Sequence, residues 1–234
     1  NSEGKALEIY KYSGKESIIS ECEQSLKRLG TDYIDLYQIH WPDPTTPAGE
    51  TMEAVDQLIK QGKVRAAGVS NYSAEEMKEA GSVLTLASNQ VSYSMVKRDI
   101  EEETIPYCIE NNVGIIVYSP LQRGILGGKI QPDHKFRKGD HRPDTPYYKL
   151  GNIIRINEFL DKIRPIAENR EISLSQLVLR WTLQALAAAS ECPLWAHSGP
   201  SPHLQRLTPH CCLETTRTGM VLNLDLTRSG AKHR

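Results

Sequence analysis

Gly30-Thr31-Asp32-Tyr33-Ile34-Asp35-Leu36-Tyr37-Gln38-Ile39-His40-Trp41-Pro42 decides how the rest of the chain reads. Its centre, Tyr33–Ile39, is short, aromatic and β-branched, which predicts a strand. Upstream, Lys15–Leu29 sets Ile18, Ile19, Cys22, Leu26 and Leu29 on one face at helical spacing, with charges opposite. Gly30 is placed to close that helix as the left-handed residue past its last turn. Downstream, Glu50–Gln61 predicts a helix ended by Gly62, and Val64–Val69 a strand of small residues. Ser73 is an N-cap candidate for a short helix beginning Ala74-Glu75-Glu76. Thr85–Gln90 predicts a strand, and Ile100–Asn111 a helix with Pro106 in its first turn or at a kink. Val113–Tyr118 is an apolar run of the kind a buried parallel strand shows. Ile153–Asn169 and Ser173–Leu183 predict two more helices, the second opening on Ser173.

Strand and helix alternating at this interval imply an α/β fold, with parallel strands joined by right-handed crossovers. A closed barrel and an open doubly wound sheet both satisfy that pattern. The position of the polar residues favours the barrel. His40 follows the first strand, Ser70-Asn71 the second, Gln90 ends the third and Tyr118-Ser119 the fourth. In a (β/α)8 barrel, strand C-termini converge on one mouth and supply the active site. No Gly-x-Gly-x-x-Gly follows a strand, so the usual dinucleotide signature of an open sheet is missing.

Composition narrows the class of function. The chain has 234 residues with 28 Lys+Arg against 29 Asp+Glu, a net charge of −1. That balance argues against a general nucleic-acid binder or a polybasic membrane binder. No apolar run reaches the roughly 20 residues of a membrane-spanning helix. The polar opening Asn1-Ser2-Glu3-Gly4-Lys5 is no secretory signal, and a start other than Met suggests that the chain begins inside a longer protein. Five Cys without Cys-x-x-Cys spacing suit a reducing cytoplasm better than a disulfide framework. The composition changes after Gln184. From there on stand only three acidic residues, Glu191, Glu214 and Asp225, but four of the seven His and three of the five Cys. Ser198–Pro209 carries three prolines and reads as loop. Residues 185–234 are therefore expected to be a tail of separate character, irregular or disordered, either a natural C-terminal extension or sequence from a wrong reading frame. The vicinal Cys211-Cys212 near His203 and His210 lacks the paired spacing of a metal site.

The opening stretch resembles the aldo-keto reductase family when taken together with three others. These are Gly62-Lys63-Val64-Arg65-Ala66-Ala67-Gly68-Val69-Ser70-Asn71-Tyr72, Gln90-Val91-Ser92-Tyr93-Ser94, and Tyr118-Ser119-Pro120-Leu121-Gln122-Arg123-Gly124 with Gly127-Gly128-Lys129 beyond. Order and spacing match through about Leu183. The resemblance implies a (β/α)8 barrel, here a partial barrel over residues 1–184 with about four parallel strands. It also implies NADPH-dependent reduction of aldehydes or ketones, with a small carbonyl compound as partner. His40 would orient the substrate carbonyl as the catalytic residue retained. Ser70, Asn71 and Gln90 would hold the nicotinamide carboxamide, and Tyr118 would stack on its ring. Ser119, Leu121 and Gly124 would line the pyrophosphate, with Arg123 and Lys129 adding positive charge.

By the same pattern, Tyr33–Ile39 corresponds to the family's fourth strand. The three strands before it, which carry the catalytic Tyr, its Lys and the supporting Asp, are not recognisable in this sequence. Tyr10 and Tyr12, near Lys5 and Lys11, do not match them. The expectation is a chain that reduces no carbonyl at a useful rate although its complete parent does. The alternatives are a non-catalytic nicotinamide-binding subunit or sensor, or an inactive fragment. Half a barrel leaves strand edges and an apolar inner face bare, so a curled sheet prone to oligomerise or aggregate is expected.

Overall fold

The computed structural model describes residues 12–190. The tail from Glu191 onward, including His203, His210, Cys211 and Cys212, lies outside the described residues, as do Lys5, Tyr10 and Lys11. The described chain forms two compact units. The first runs to Tyr93 and takes in Lys97–Pro120; the second takes Ser94–Val96 and the described residues from Leu121 on.

The first unit repeats helix and strand: α1 (Lys15–Leu29), β1 (Ile34–Ile39), α2 (Ala48–Lys60), β2 (Val64–Ser70), α3 (Ala74–Gly81), β3 (Leu86–Ser92), α4 (Thr104–Glu110) and β4 (Gly114–Tyr118). The strands form one parallel sheet in the order β1-β2-β3-β4. When each strand pairs with the next in sequence, right-handed crossovers put every helix on the same face. The core lies between that face and the helices. Cys22, Leu26, Met52, Val55, Leu58 and Met77 from the helices are buried with Ile39, Ala67 and Val69 from the strands.

Local signals explain the helix ends. Gly30 adopts φ 66° and returns its N–H to the Leu26 carbonyl at 2.9 Å. Ser73 forms a capping box: its Oγ accepts from Glu76 N at 3.2 Å, and its own N–H donates to Glu76 Oε2 at 2.7 Å. The helix expected over Ile100–Asn111 divides into a 3-10 turn, Asp99–Glu101, and α4. The turn is held by Glu101, whose carboxylate accepts from both Arg98 Nε and Nη2 (2.8 and 2.9 Å) and from the Tyr93 hydroxyl at 2.5 Å. Pro106 sits in the first turn of α4, where its missing N–H has no intrahelical partner to lose.

The second unit holds α5 (Leu150–Glu168), α6 (Leu174–Ser190) and three 3-10 segments, Gln122–Gly127, Arg142–Asp144 and Pro146–Tyr148. Its core gathers Ile125, Leu126, Tyr148, Ile153, Ile156, Leu160 and Val178. Ser173 caps α6 as Ser73 caps α3: its Oγ accepts from Gln176 N at 3.2 Å, and its N–H donates to Gln176 Oε1 at 2.8 Å. The helix runs beyond the Leu183 suggested by the sequence because the Ala-rich residues that follow are strong helix formers. Residues 185–190, read from composition as the start of the tail, are thus helical.

Candidate functional site

Strand register fixes which side chains share the face opposite the helices. Gln38 pairs with Gly68, Gly68 with Ser88 and Ser88 with Gly114. One layer nearer the C-terminal ends, Ser70 pairs with Gln90 and Gln90 with Ile116; one further, Ser92 pairs with Tyr118. Gly68 is needed for this packing. A Cβ there would stand 2.6 Å from Ser88 Oγ and 2.9 Å from Gln38 Cγ. An irregularity between Ala67 and Gly68 pairs them with Leu86 and Ser88, leaving Ala87 as the extra residue of a bulge. The bulge brings Ser88 and Gln90 onto the same face as Gly68 and Ser70.

Asn71 joins the ends of all four strands. It sits at φ 61°, a left-handed conformation that Asn tolerates better than most residues. Its backbone N–H donates to the Gln90 carbonyl at 2.9 Å. Its Nδ2 donates to the His40 carbonyl at 3.2 Å and to Ser70 Oγ at 3.0 Å. Its Oδ1 accepts from the Tyr118 hydroxyl at 2.7 Å. Ser70 Oγ in turn donates to the Gln90 carbonyl at 2.8 Å. The structure therefore brings His40, Ser70, Asn71, Gln90 and Tyr118 together. The His40 ring is exposed and lies 6.1 Å from the Trp41 ring, tilted by 55°.

The loop after His40 is shaped by Asp43, which is buried. Asp43 accepts from Ser13 N at 2.8 Å and from Thr45 N and Oγ1, each at 2.7 Å. Burial alone would raise its pKa, but these bonds outweigh it and hold the carboxyl well below the usual carboxylate range. Beside it opens a cavity of about 470 Å³ lined by Pro42, Asp43, Thr45, Tyr72, Glu76 and Glu79. All three carboxylates are already engaged, Glu76 in the α3 cap and Glu79 with the Gly49 N–H at 3.2 Å.

Ser119 ends the first unit's contribution with φ 56°. Leu121, Arg123, Gly124 and Lys129 belong to the second unit. There Gln122, Arg123 and Gly124 are consecutively left-handed, at φ 46°, 55° and 99°. The buried Tyr148 hydroxyl props this turn from below, 2.8 Å from the Arg123 carbonyl and 3.2 Å from that of Gln122. Gln122 is itself buried and accepts from Ser94 Oγ at 3.3 Å. The side chains of Arg123 and Lys129 are exposed.

Three contributors escaped the sequence reading. Ser88 is buried on the inner face with an Oγ that has no hydrogen-bond partner. Its two-residue spacing from Gln90 was the available signal. Tyr148 and Gln122 support the left-handed turn across 25 or more residues, and no local pattern announces that. Among the described residues no group of His, Cys, Asp or Glu could hold a metal ion.

The donors and acceptors collected here fit a carboxamide. Such a group offers an acceptor and two donors; Ser70 Oγ and Asn71 Nδ2 donate within the cluster, but Ser70 Oγ and Asn71 Oδ1 each keep a lone pair for a donor, and the Gln90 side-chain amide stands beside them. Gln90 is partly exposed at the end of the row.

Comparison with known proteins identifies the family and the fold. The model of the aldo/keto reductase family matches residues 8–201. The chain is 36% identical over 194 residues to the aldo-keto reductase YhdN of Bacillus subtilis, covering 82% of this chain and 58% of that protein. It is 34% identical over 180 residues to the NADH-specific methylglyoxal reductase of Escherichia coli (76% and 55% covered). It is 38% identical over 162 residues to the aldo-keto reductase yakc [NADP(+)] of Schizosaccharomyces pombe (68% and 48%). The structure of a glycerol dehydrogenase from Gluconobacter oxydans superposes with a TM-score of 0.73 at 36% identity, covering 77% of this chain and 55% of that one. The chain thus spans about half the length of the curated relatives it matches, and its sheet and helices are part of a (β/α)8 barrel. The motifs at the four strand ends, the parallel sheet that gathers them and the family match over residues 8–201 make this chain a member of the aldo/keto reductase family.

Proposed function

We propose that this chain carries the nicotinamide-binding side of a carbonyl reductase that prefers NADPH. The single observation that carries the reading is the hydrogen-bonded cluster of Ser70, Asn71, Gln90 and Tyr118 at adjoining strand ends, with His40 beside it. NADPH, when bound, supplies the hydride for reduction of an aldehyde or ketone. Ser70, Asn71 and Gln90 hold the carboxamide: the lone pairs left on Ser70 Oγ and Asn71 Oδ1 accept from its NH2, and the Gln90 side-chain amide donates to its oxygen. Tyr118 offers a flat face against the ring. His40 orients the substrate carbonyl by a hydrogen bond. Ser119, Leu121 and Gly124 line the pyrophosphate, where left-handed turns let backbone N–H groups approach an anion; Arg123 and Lys129 add charge. The relatives differ in cofactor, one named for NADH and one for NADP(+), so the preference for NADPH rests on the family resemblance. Two free, buried cysteines, Cys22 and Cys108, support a reducing cytoplasmic setting. No helix among the described residues is long and apolar enough to cross a membrane.

In this reading the chain binds cofactor without turning it over. A free Tyr titrates near ~10 and needs a neighbouring cation to act as a tuned acid, and no Tyr–Lys–Asp set is recognisable in the sequence. Loss of general acid catalysis alone is typically worth about 10²–10⁴-fold. The test follows NADPH consumption with a reactive aromatic aldehyde, comparing this chain with a version extended at both ends. The extended protein should turn over and this chain should bind only. Equal turnover by both would contradict the reading and would mean that another group supplies the proton. A non-catalytic nicotinamide sensor is the second reading, favoured if neither version turns over while both bind.

A further inference from the structure

We propose that the Tyr118 hydroxyl is a positioning group, latched by Asn71 so that the Tyr118 ring is held at one orientation before a cofactor arrives. The inference rests on the nicotinamide-binding reading above and deepens it, since stacking needs only the ring and gives the hydroxyl no task.

The argument is one of hydrogen-bond direction. The Gln90 carbonyl can only accept, so the Ser70 hydroxyl must spend its proton there, at 2.8 Å. Ser70 Oγ can then only accept from Asn71, and Asn71 Nδ2 can only donate, at 3.0 Å. The same nitrogen faces the His40 carbonyl at 3.2 Å. Turning the amide over would set Oδ1 against that carbonyl and against a hydroxyl with no proton left. Oδ1 is therefore fixed toward Tyr118, and the phenol is compelled to donate to it, at 2.7 Å. The chain runs one way, from Tyr118 through Asn71 and Ser70 to the Gln90 carbonyl. A phenolic O–H lies in the plane of its ring, so fixing the direction of the proton restrains rotation of the ring.

The backbone supports the same role. Asn71 is at φ 61° with its own N–H tied to Gln90, and its Nδ2 is tied to the His40 carbonyl and Ser70 Oγ, so backbone and side chain are both held where the phenol meets them. Tyr118 is the last residue of β4, and beyond it the backbone turns at once into the left-handed Ser119. Within the first unit, the latch to Asn71 is the bond that ties the far end of this side chain to the other strand ends.

The test is a double-mutant cycle read by binding. Dissociation constants for NADPH and for reduced nicotinamide mononucleotide are measured by fluorescence for the chain, Tyr118→Phe, Asn71→Gly and the double variant. Gly accepts the positive φ of position 71, and Phe keeps the stacking face. Melting by circular dichroism checks that each variant folds. Tyr118→Phe should weaken both ligands about fivefold, the equivalent of one net hydrogen bond near 1 kcal/mol. The same factor for both ligands places the effect at the nicotinamide. On the Asn71→Gly background, Tyr118→Phe should add less than twofold. Unchanged affinity in Tyr118→Phe, or losses that simply add, would overturn the latch while leaving nicotinamide binding intact. Failure of the unaltered chain to bind either ligand would overturn the nicotinamide reading itself, and the latch with it.

Discussion

The two compact units organise their candidate cofactor residues by different means. In the sheet unit, His40, Ser70 and Tyr118 stand where parallel strands end and Gln90 two residues before the end of β3, and the two-residue period of a strand, with the bulge at Ala87, sets Ser70, Gln90 and Tyr118 on one side. In the second unit, Leu121–Gly124 owes its shape to three successive left-handed residues and to a tyrosine distant in sequence. The first arrangement is repeated, each strand paired with the next, and one residue, Asn71, ties the ends together. The second rests on the buried Tyr148 hydroxyl and on the Gln122–Ser94 bond. Regular structure positions side chains through register, whereas a strained turn positions backbone through whatever packs beneath it.

The sharpest way to break the sheet arrangement is to add volume where register leaves none. Gly68→Val should destabilise the chain by more than most single changes, at or beyond the top of the ~1–3 kcal/mol range for overpacking. Added carbons at position 68 meet Ser88 and Gln38, and the Gln38 Nε2–H bond to the Val69 carbonyl, 3.2 Å, would go with them. Urea denaturation measures the loss. A variant as stable as the parent would show that the layer is looser than its distances state.

A smaller effect should appear in alkali. Burial pushes Tyr37 and Tyr72 up to about 12, with the negative charges of Cys22 and Glu21 around Tyr37 and of Glu76 around Tyr72 adding to it. An unfolded tyrosine titrates near ~10. Folded-state pKa values above the unfolded one contribute stability that is complete below about pH 10 and disappears as pH rises toward 12. Denaturation midpoints should therefore hold steady up to pH 9 and fall steeply between 10 and 12. Tyr37→Phe should flatten part of that fall, and an equal slope in the variant would remove Tyr37 from the account.

The smallest effect probes the second unit. Tyr148→Phe keeps the ring among Phe136 and the helix residues but removes the hydroxyl that meets the Arg123 and Gln122 carbonyls. The cost should be about 1 kcal/mol, one hydrogen bond. Hydrogen exchange should speed up over Gln122–Gly128 and stay unchanged in β1–β4. Faster exchange in the strands as well would erase the contrast between the units.

What was legible in the sequence follows the same division. Lys15–Leu29 is legible to the residue because its apolar stripe and Gly30 stop signal are both local. Ser73 and Ser173 were legible as caps, since each has its Glu or Gln partner three residues on. The ends of β1, β2 and β4 are legible because each closes a β-branched or apolar run, whereas β3 continues two residues past Gln90 because Val91 and Ser92 pair with β4. The bulge at Ala87 is not legible, because it arises from pairing with β2 and leaves no mark in Leu86-Ala87-Ser88 itself. Asn71 was legible as a polar residue after a strand, but not as the joint of four strand ends, which depends on its positive φ and on partners as far away as Tyr118. The composition change after Gln184 was real, yet helix propensity carried α6 across it.

The central claim is that the four strand ends of the sheet unit form the nicotinamide site. It is tested most directly by adding reduced nicotinamide mononucleotide to isotopically labelled protein and following amide resonances. The account predicts saturable shifts at the side-chain amides of Asn71 and Gln90 and at the backbone N–H of Asn71, with β1–α2 residues other than His40 and Trp41 little affected. Shifts confined to Leu121–Lys129, or to the cavity around Asp43 and Glu79, would contradict it.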